Sequence, residues 1–261
     1  MESDDALPPR PSPLGETILI GTAGWTIPAA SRDWFPAEGT HLSRYGARLG
    51  AAEINSSFYR PHRRSTYEKW AASVPPSFRF SVKLPKAITH ERRLTNAAEE
   101  LDRFLGEIGG LGEKLGVVLV QLPPSLAFDE ARAGFLEDLR RKFSGGLALE
   151  PRHASWFSAD VETRLAELRI ARVAADPAPA PGAERPGGWP GLCYHRMHGS
   201  PRIYYSPYPT ERLEKLARDM IRRARAEATV WAILDNTAAF AATGDALALQ
   251  AMVASAGEGE V

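Results

Sequence analysis

Three observations predict an α/β fold, specifically a TIM-barrel-like (β/α)8 with a parallel eight-stranded barrel. Eight short runs of small or branched apolar residues recur along the 261 residues. The segments between them are long enough for crossovers, and most carry helical periodicity. The runs are nearly continuous in apolarity, as strands covered on both faces are. A chain of roughly 250 residues suits a closed barrel of this type. The Gly21–Gly24 turn, GTAG, does not complete G-x-G-x-x-G, so an open dinucleotide-binding sheet has little support and no dinucleotide cofactor is expected.

The elements follow in order. Met1–Asp5 is acidic and leads into Pro8, Pro9, Pro11 and Pro13, so residues 1–16 read as a disordered lead-in and residues 17–261 as a single TIM-barrel-like domain. Strands are predicted over Ile18–Ala23, Ala51–Ser56, Arg79–Leu84, Val117–Leu122, Leu147–Pro151, Ala171–Asp176, Leu192–Gly199 and Val230–Asn236. Amphipathic helices fit Leu101 to Ile108, Asp129–Phe143, Val161 to Leu168 and, after Pro209–Thr210, Leu213 to Ile221. Shorter helices fit His41–Leu49 and Ser65–Ser73, and Gly244–Ala254 closes the chain. Between Asp176 and Leu192 the run PAPAPGAERPGGWPG is incompatible with a helix, so the sixth crossover is predicted to be a Pro/Gly loop.

Composition excludes several classes. The 32 Lys+Arg balance the 32 Asp+Glu, which argues against coating nucleic acid or membranes by bulk charge and makes any anion site local. The longest apolar runs, Val117–Val120 and Val230–Leu234, are far too short to span a bilayer, so no membrane partner is expected. One cysteine, Cys193, fits a reducing compartment, and the expectation is cytoplasmic.

Barrel active sites gather at the C-terminal strand ends. Those ends carry Glu53, Asn55 and Tyr59; Lys83 and His90; Gln121; Glu150, Arg152 and His153; Asp176; Arg196 and His198; and Asp235–Asn236. Buried charge at this density must be paired or neutralised, which a shared site would achieve. Period-two alternation puts Glu53 with Asn55, Ser81 with Lys83, Glu150 with Arg152, and Arg196 with His198 on common faces. Cys193 and His195 fall on the opposite face, under the helices. The loop aromatics, among them Trp34, Tyr59, Trp156, Trp189, Tyr204 and Tyr205, either stack on ligand rings or cap the mouth.

Cations slightly outnumber acids in this set, which points to a phosphorylated or otherwise anionic small molecule or nucleotide gripped by Lys83, Arg152 and Arg196. Glu53 or Glu150 would be the base and His153 or His198 the acid. Asn55, Tyr59, His90, Gln121, Trp156, Asp176 and Asn236 complete the expected substrate contacts. A divalent metal is the competing reading, with Glu53, Glu150, His153 and His198 as its ligands, although no H-x-H or H-E-x-x-H spacing supports it. Lys83 as an imine-forming amine is a further alternative to an anion-pairing lysine.

Seven blocks add a resemblance. GTAGW (Gly21–Trp25), EINSSFYRP (Glu53–Pro61), FRFSVKLP (Phe78–Pro85) with Thr89-His90, KLGVVLVQLPPS (Lys114–Ser125), LEPRHASW (Leu149–Trp156), RMHG (Arg196–Gly199) and DNTA (Asp235–Ala238) resemble, in order, the YecE-like family, domain of unknown function 72. The resemblance implies a TIM-barrel-like fold with a polar groove at the strand ends and no settled reaction. It also implies a distant likeness to endonuclease-IV-type barrels, from which this sequence departs in lacking a dense His/Asp/Glu ligand set. The alternatives to a small-molecule enzyme are therefore a nucleic-acid-binding or repair protein, including a metal-dependent phosphodiesterase, and a non-catalytic anion-binding protein.

Overall fold

The computed structural model describes residues 17–258; the lead-in expected over residues 1–16 lies outside them. Among the described residues ten strands form one sheet: β1 (Ile18–Ala23), β2 (Ala51–Ile54), β3 (Arg79–Lys83), β4 (Leu115–Gln121), β5 (Gly146–Glu150), β6 (Ile170–Arg172), β7 (Ala174–Asp176), β8 (Gly187–Gly188), β9 (Leu192–Met197) and β10 (Thr229–Leu234). Their hydrogen-bonded order is β7-β9-β10-β1-β2-β3-β4-β5-β6-β8.

The difference from eight strands has a simple origin. β6 and β7 are one extended run interrupted at Val173, where the partner changes: β6 pairs with β5, and β7 pairs with β9. The two ends of the parallel order are therefore joined through the chain, and the sheet curls into a nearly closed barrel of eight parallel staves. β8 is a two-residue antiparallel arm on β6, inside the Pro/Gly segment that carries no helix.

Among the described residues seven α-helices surround the barrel: α1 (His41–Gly46), α2 (Arg64–Ala72), α3 (Ala98–Ile108), α4 (Glu130–Lys142), α5 (Ala159–Glu167), α6 (Thr210–Arg225) and α7 (Ala241–Glu258). Their starts follow local chemistry: Thr40, Asp129 and Ser158 each accept a backbone N–H of the first turn in α1, α4 and α5. α6 begins after an extended Pro209 and buries Leu213, Leu216, Ala217, Met220, Ile221 and Ala224, the stripe its sequence periodicity marks.

Strand alternation sorts the apolar core into two layers. Ile18, Ile20, Ile54, Val82, Val118, Val120, Leu147, Leu149, Cys193 and Met197 pack outward with the helices. Leu19, Ala51, Val117, Leu119, Ala148, Val173, Tyr194, Trp231 and Ile233 fill the barrel itself. The Trp231 ring stacks on Tyr194, with centroids 5.9 Å apart. Gly116 makes room for it, because a Cβ there would lie 2.5 Å from the indole. Continuing the inward alternation toward the C-terminal ends reaches Glu53, Lys83, Gln121, Glu150, Arg196 and Asp235, so the fold itself delivers a polar top layer over an apolar barrel.

Candidate active site

Arg196 occupies the centre of that layer, 1% exposed. Its Nε donates to Glu53 Oε2 at 3.0 Å and its Nη2 to Glu53 Oε1 at 2.6 Å. Nη1 donates to Glu150 Oε2 at 2.8 Å, and Nη2 also lies 3.1 Å from Asp235 Oδ2. The guanidinium thus has its donors on three carboxylates rather than open to the mouth. Tyr194 OH donates to Glu53 Oε2 at 3.0 Å and is itself 2.7 Å from Ser81 Oγ. Both oxygens of Glu53 are consequently filled from inside the barrel.

His198 bridges the other two acids. Its Nδ1 is 3.0 Å from Asp235 Oδ2 and its Nε2 is 3.1 Å from Glu150 Oε1. A ring with a carboxylate on each nitrogen satisfies both only as the imidazolium. Burial works against that charge, but Glu150 and Asp235 outweigh it and raise the pKa of His198 above its ordinary value. Glu150 is lowered well below the usual carboxylate range, since Arg196 and His198 overcome its burial. Asp235 is lowered for the same reason, Arg196 again contributing most against burial. Arg152, just beyond β5, closes the hub on the open side, its Nη2 3.1 Å and Nε 3.3 Å from Glu150 Oε1.

Lys83 differs from these cations. It is 6% exposed, forms no salt bridge among the described residues, and holds its ammonium 4.2 Å from the centroid of the Phe58 ring. Burial, followed by repulsion from Arg196, lowers its pKa to about 8. His90 stands against the same Phe58 ring, centroids 5.0 Å apart, and its pKa is lowered by burial and by Lys83, Arg152 and Arg93. The mouth therefore has a hub of paired charges and, beside it, a lysine and a histidine without an ion-pair partner, on which burial and the neighbouring cations outweigh the pull of the acids.

The remaining expected residues lie as follows. Gln121 is buried with its side-chain amide donating to Leu122 O at 2.8 Å. Asn55 ends β2 in a helical conformation, so the alternation argument stops at Ile54; its Oδ1 is buried with no hydrogen-bond partner. Tyr59 is exposed on the rim. His153 caps the short helical turn Ala154–Phe157, its Nδ1 accepting from Ser155 N, and does not join the hub. Trp156 is fully buried, with its indole N–H on Leu126 O, so its ring is core rather than a ligand platform. Asp176 turns outward to Arg212 of α6. Asn236 is tied to Ser206 O and Asp245 outside the barrel, and Asp235 takes the inward place instead. The candidate ligand set Glu53, Glu150, His153 and His198 does not converge: both glutamates turn to Arg196, and His153 stands apart. Among the described residues no group of three or more His, Cys, Asp or Glu side chains is arranged to hold a metal ion.

Tyr194 is the member the sequence reading missed; Asp235 and Phe58 are visible at their strand ends, but Asn236 and Tyr59 are the neighbours chosen as contacts. Asp235 carried a usable signal, because counting in twos from Trp231 and Ile233 lands on it and not on Asn236.

The rim has its own pattern. The exposed large hydrophobic residues among those described, Trp34, Tyr59, Ile203, Tyr204, Tyr205 and Phe240, all lie in loops that follow β1, β2, β9 and β10, four neighbouring staves. Left-handed backbone accompanies them at Tyr204 (φ 69°) and Phe240 (φ 63°), and recurs at Arg93 (53°), Leu94 (62°) and Asn96 (49°) after β3. Such conformations are costly in bulky residues, and they are not confined to this rim, since Arg169 (φ 51°) and Glu227 (φ 64°) precede β6 and β10 at the opposite end of the barrel.

Fold and site together define a parallel β/α barrel with an arginine–carboxylate hub and an unpaired lysine at its C-terminal mouth. The chain belongs to the DUF72 family: the family model described as Protein of unknown function DUF72 matches residues 19–260. UPF0759 protein YecE of Escherichia coli K12 is 27% identical over 173 residues, 64% of this chain and 61% of that protein. UPF0759 protein YunF of Bacillus subtilis is 28% identical over 148 residues, 54% of this chain and 52% of that protein. The chain thus spans between half and two thirds of the length of these curated relatives. A crystal structure of a DUF72 family protein from Thermotoga maritima superposes with a TM-score of 0.73 at 25% identity, covering 91% of this chain and 99% of that one. One from Enterococcus faecalis gives 0.75 at 22% identity, covering 90% and 95%. No helix among the described residues is long and apolar enough to cross a membrane.

Proposed function

We propose that the barrel mouth binds a small anionic molecule, phosphorylated or carboxylated, and that the protein is a cytoplasmic enzyme acting on it. The observation that carries this reading is Lys83: a buried cation beside a saturated arginine, without a carboxylate of its own. An uncompensated buried charge is expensive, and an incoming anion supplies the missing partner. Arg152 is the second contact. Its side chain keeps 24% exposure, and besides Glu150 it is hydrogen-bonded to the side chain of Tyr204 on the rim, so an anion would meet it beside that tyrosine.

In this reading Arg196 is a positioning residue, since its donors are spent on Glu53, Glu150 and Asp235. Proton transfer falls to Glu150 and His198. Their shared contact at Glu150 Oε1 lies beside Arg152, on the open side of the hub, whereas Glu53 is sealed beneath. A thermal-shift screen with inorganic phosphate and with phosphorylated and carboxylated metabolites tests the reading. Stabilisation of the wild type that shrinks in Lys83→Met and Arg152→Gln is expected; no anion surpassing a chloride control of equal ionic strength would overturn it.

A second reading, a nucleic-acid ligand, draws on the exposed Tyr59, Tyr204 and Tyr205 of the rim, which offer stacking faces to bases. Its test is single-strand binding that weakens as salt is raised and on Tyr59→Ala.

A further inference from the structure

We infer that Lys83 is a nucleophile that forms an imine with the carbonyl group of an anionic aldehyde or ketone. The inference rests on the anion reading above and assigns the reaction class. Its basis is the environment of one amine. Lys83 projects from β3 into the barrel mouth rather than into solvent, and no carboxylate lies within ion-pair distance of it; the pull of Glu53, Glu150 and Asp235 is outweighed by burial and by Arg196. One side of it is covered by the Phe58 ring, and the neighbouring charge on Arg196 is fixed by that residue's three acids. Apolar cover and an adjacent permanent cation are the two features that make a lysine amine neutral near neutral pH. The pKa of about 8 agrees with that placement. A surface lysine has neither feature.

The surroundings suit the chemistry that follows. Arg152, 24% exposed and already engaged by Glu150 and Tyr204, is the cation offered to the carboxylate or phosphate of the same molecule, leaving the amine for its carbonyl carbon. The Nζ lone pair forms the C–N bond as the carbonyl π pair moves to oxygen. That oxygen takes the proton shed by nitrogen, and the carbinolamine then accepts a second proton and loses water. The net change consumes the neutral amine, the carbonyl compound and one proton, and yields a protonated imine and one water. No oxidant or cofactor is required.

Reductive trapping on the full chain tests the inference. Pyridoxal 5′-phosphate and, separately, glyoxylate serve as probes near pH 8, with cyanoborohydride reducing any imine to a stable secondary amine. Peptide mapping then locates the label. The expected result is label at Lys83 exceeding that at Lys69 or Lys215 by at least about tenfold, reflecting the larger neutral fraction of a lysine with a lowered pKa. Lys83→Arg, checked for folding by circular dichroism, should lose that label alone; mapping the wild type decides the matter even where the variant does not fold. Label distributed according to exposure, or absent from Lys83, overturns the inference. A failure here is separable from failure of the anion reading: inorganic phosphate would still stabilise the wild type more than Arg152→Gln if only the imine is wrong, and would stabilise neither if the anion site is wrong.

Discussion

Arg196 on β9 and Glu53 on β2, 143 residues apart in sequence, meet inside the barrel as a bidentate pair with N···O distances of 3.0 and 2.6 Å. Neither side chain reaches solvent, so each depends on the other for its charge. Removing one partner of a buried pair leaves the other uncompensated, which costs about 3–5 kcal/mol. Arg196→Leu leaves Glu53, Glu150 and Asp235 without their common cation and is expected to lose at least that much in urea unfolding. A loss below about 1 kcal/mol, the range of a surface pair, would contradict the hub.

The opposite sign is expected for Lys83→Met. The ligand-free protein holds a buried charge with no ion-pair partner, and the more distant Glu53, Glu150 and Asp235 do not offset its burial and the repulsion from Arg196, so an apolar isostere should stabilise it, on the order of 1–3 kcal/mol near pH 7. The pH dependence follows from the lowered pKa. Between about 8 and the ordinary lysine value the folded state releases the proton that the unfolded chain keeps, so wild-type stability rises relative to Lys83→Met as pH increases through that window. Parallel stability curves for the two proteins would count against an uncompensated amine.

His198 titrates with the reverse consequence. Its folded pKa is raised by Glu150 and Asp235, so its contribution is complete below the unfolded value of 6.5 and disappears as pH rises through the folded value. The stability difference between wild type and His198→Gln should therefore be largest in mild acid and shrink in the alkaline range. Equilibrium unfolding from pH 5 to 9 measures it, and a difference independent of pH would mean that the ring is neutral.

Cys193 should be inert. It faces α6, buried, with Sγ 3.2 Å from His195 Nε2, and His195 in turn lies 3.7 Å from Asp219. The order Cys–His–Asp invites a nucleophilic reading, but burial pushes the thiol up to about 12 and the imidazole down to about 4. Such a thiol is inert until the helix moves. Iodoacetamide labelling is expected only at the rate of local opening; rapid labelling of the folded protein would refute this.

These same residues show what was legible in the sequence. Alternation placed Glu53, Lys83, Glu150, Arg196 and His198 inward and Cys193 with His195 outward, because side-chain direction in a strand depends on parity alone. What parity does not fix is where a strand stops or what a long side chain meets. Asn55 left the strand face because β2 ends at Ile54. Val173 splits the sixth stave because its two halves hydrogen-bond to different neighbours, a property of barrel closure rather than of the local sequence. Asp176 found Arg212, 36 residues on, and Trp156 found Leu126, contacts that only packing creates. The commitment of Arg196 to three acids was likewise invisible, since residue types alone do not tell a gripping arginine from a saturated one.

Calorimetric titration of inorganic phosphate into the wild type and into Lys83→Met, at low and at elevated salt, goes most directly to the unpaired lysine. Saturable binding to the wild type is predicted, weakened by salt and at least about tenfold weaker in the variant, a difference of about 1.4 kcal/mol. Equal affinity in the two proteins, or no binding to either, would contradict an anion site built on Lys83.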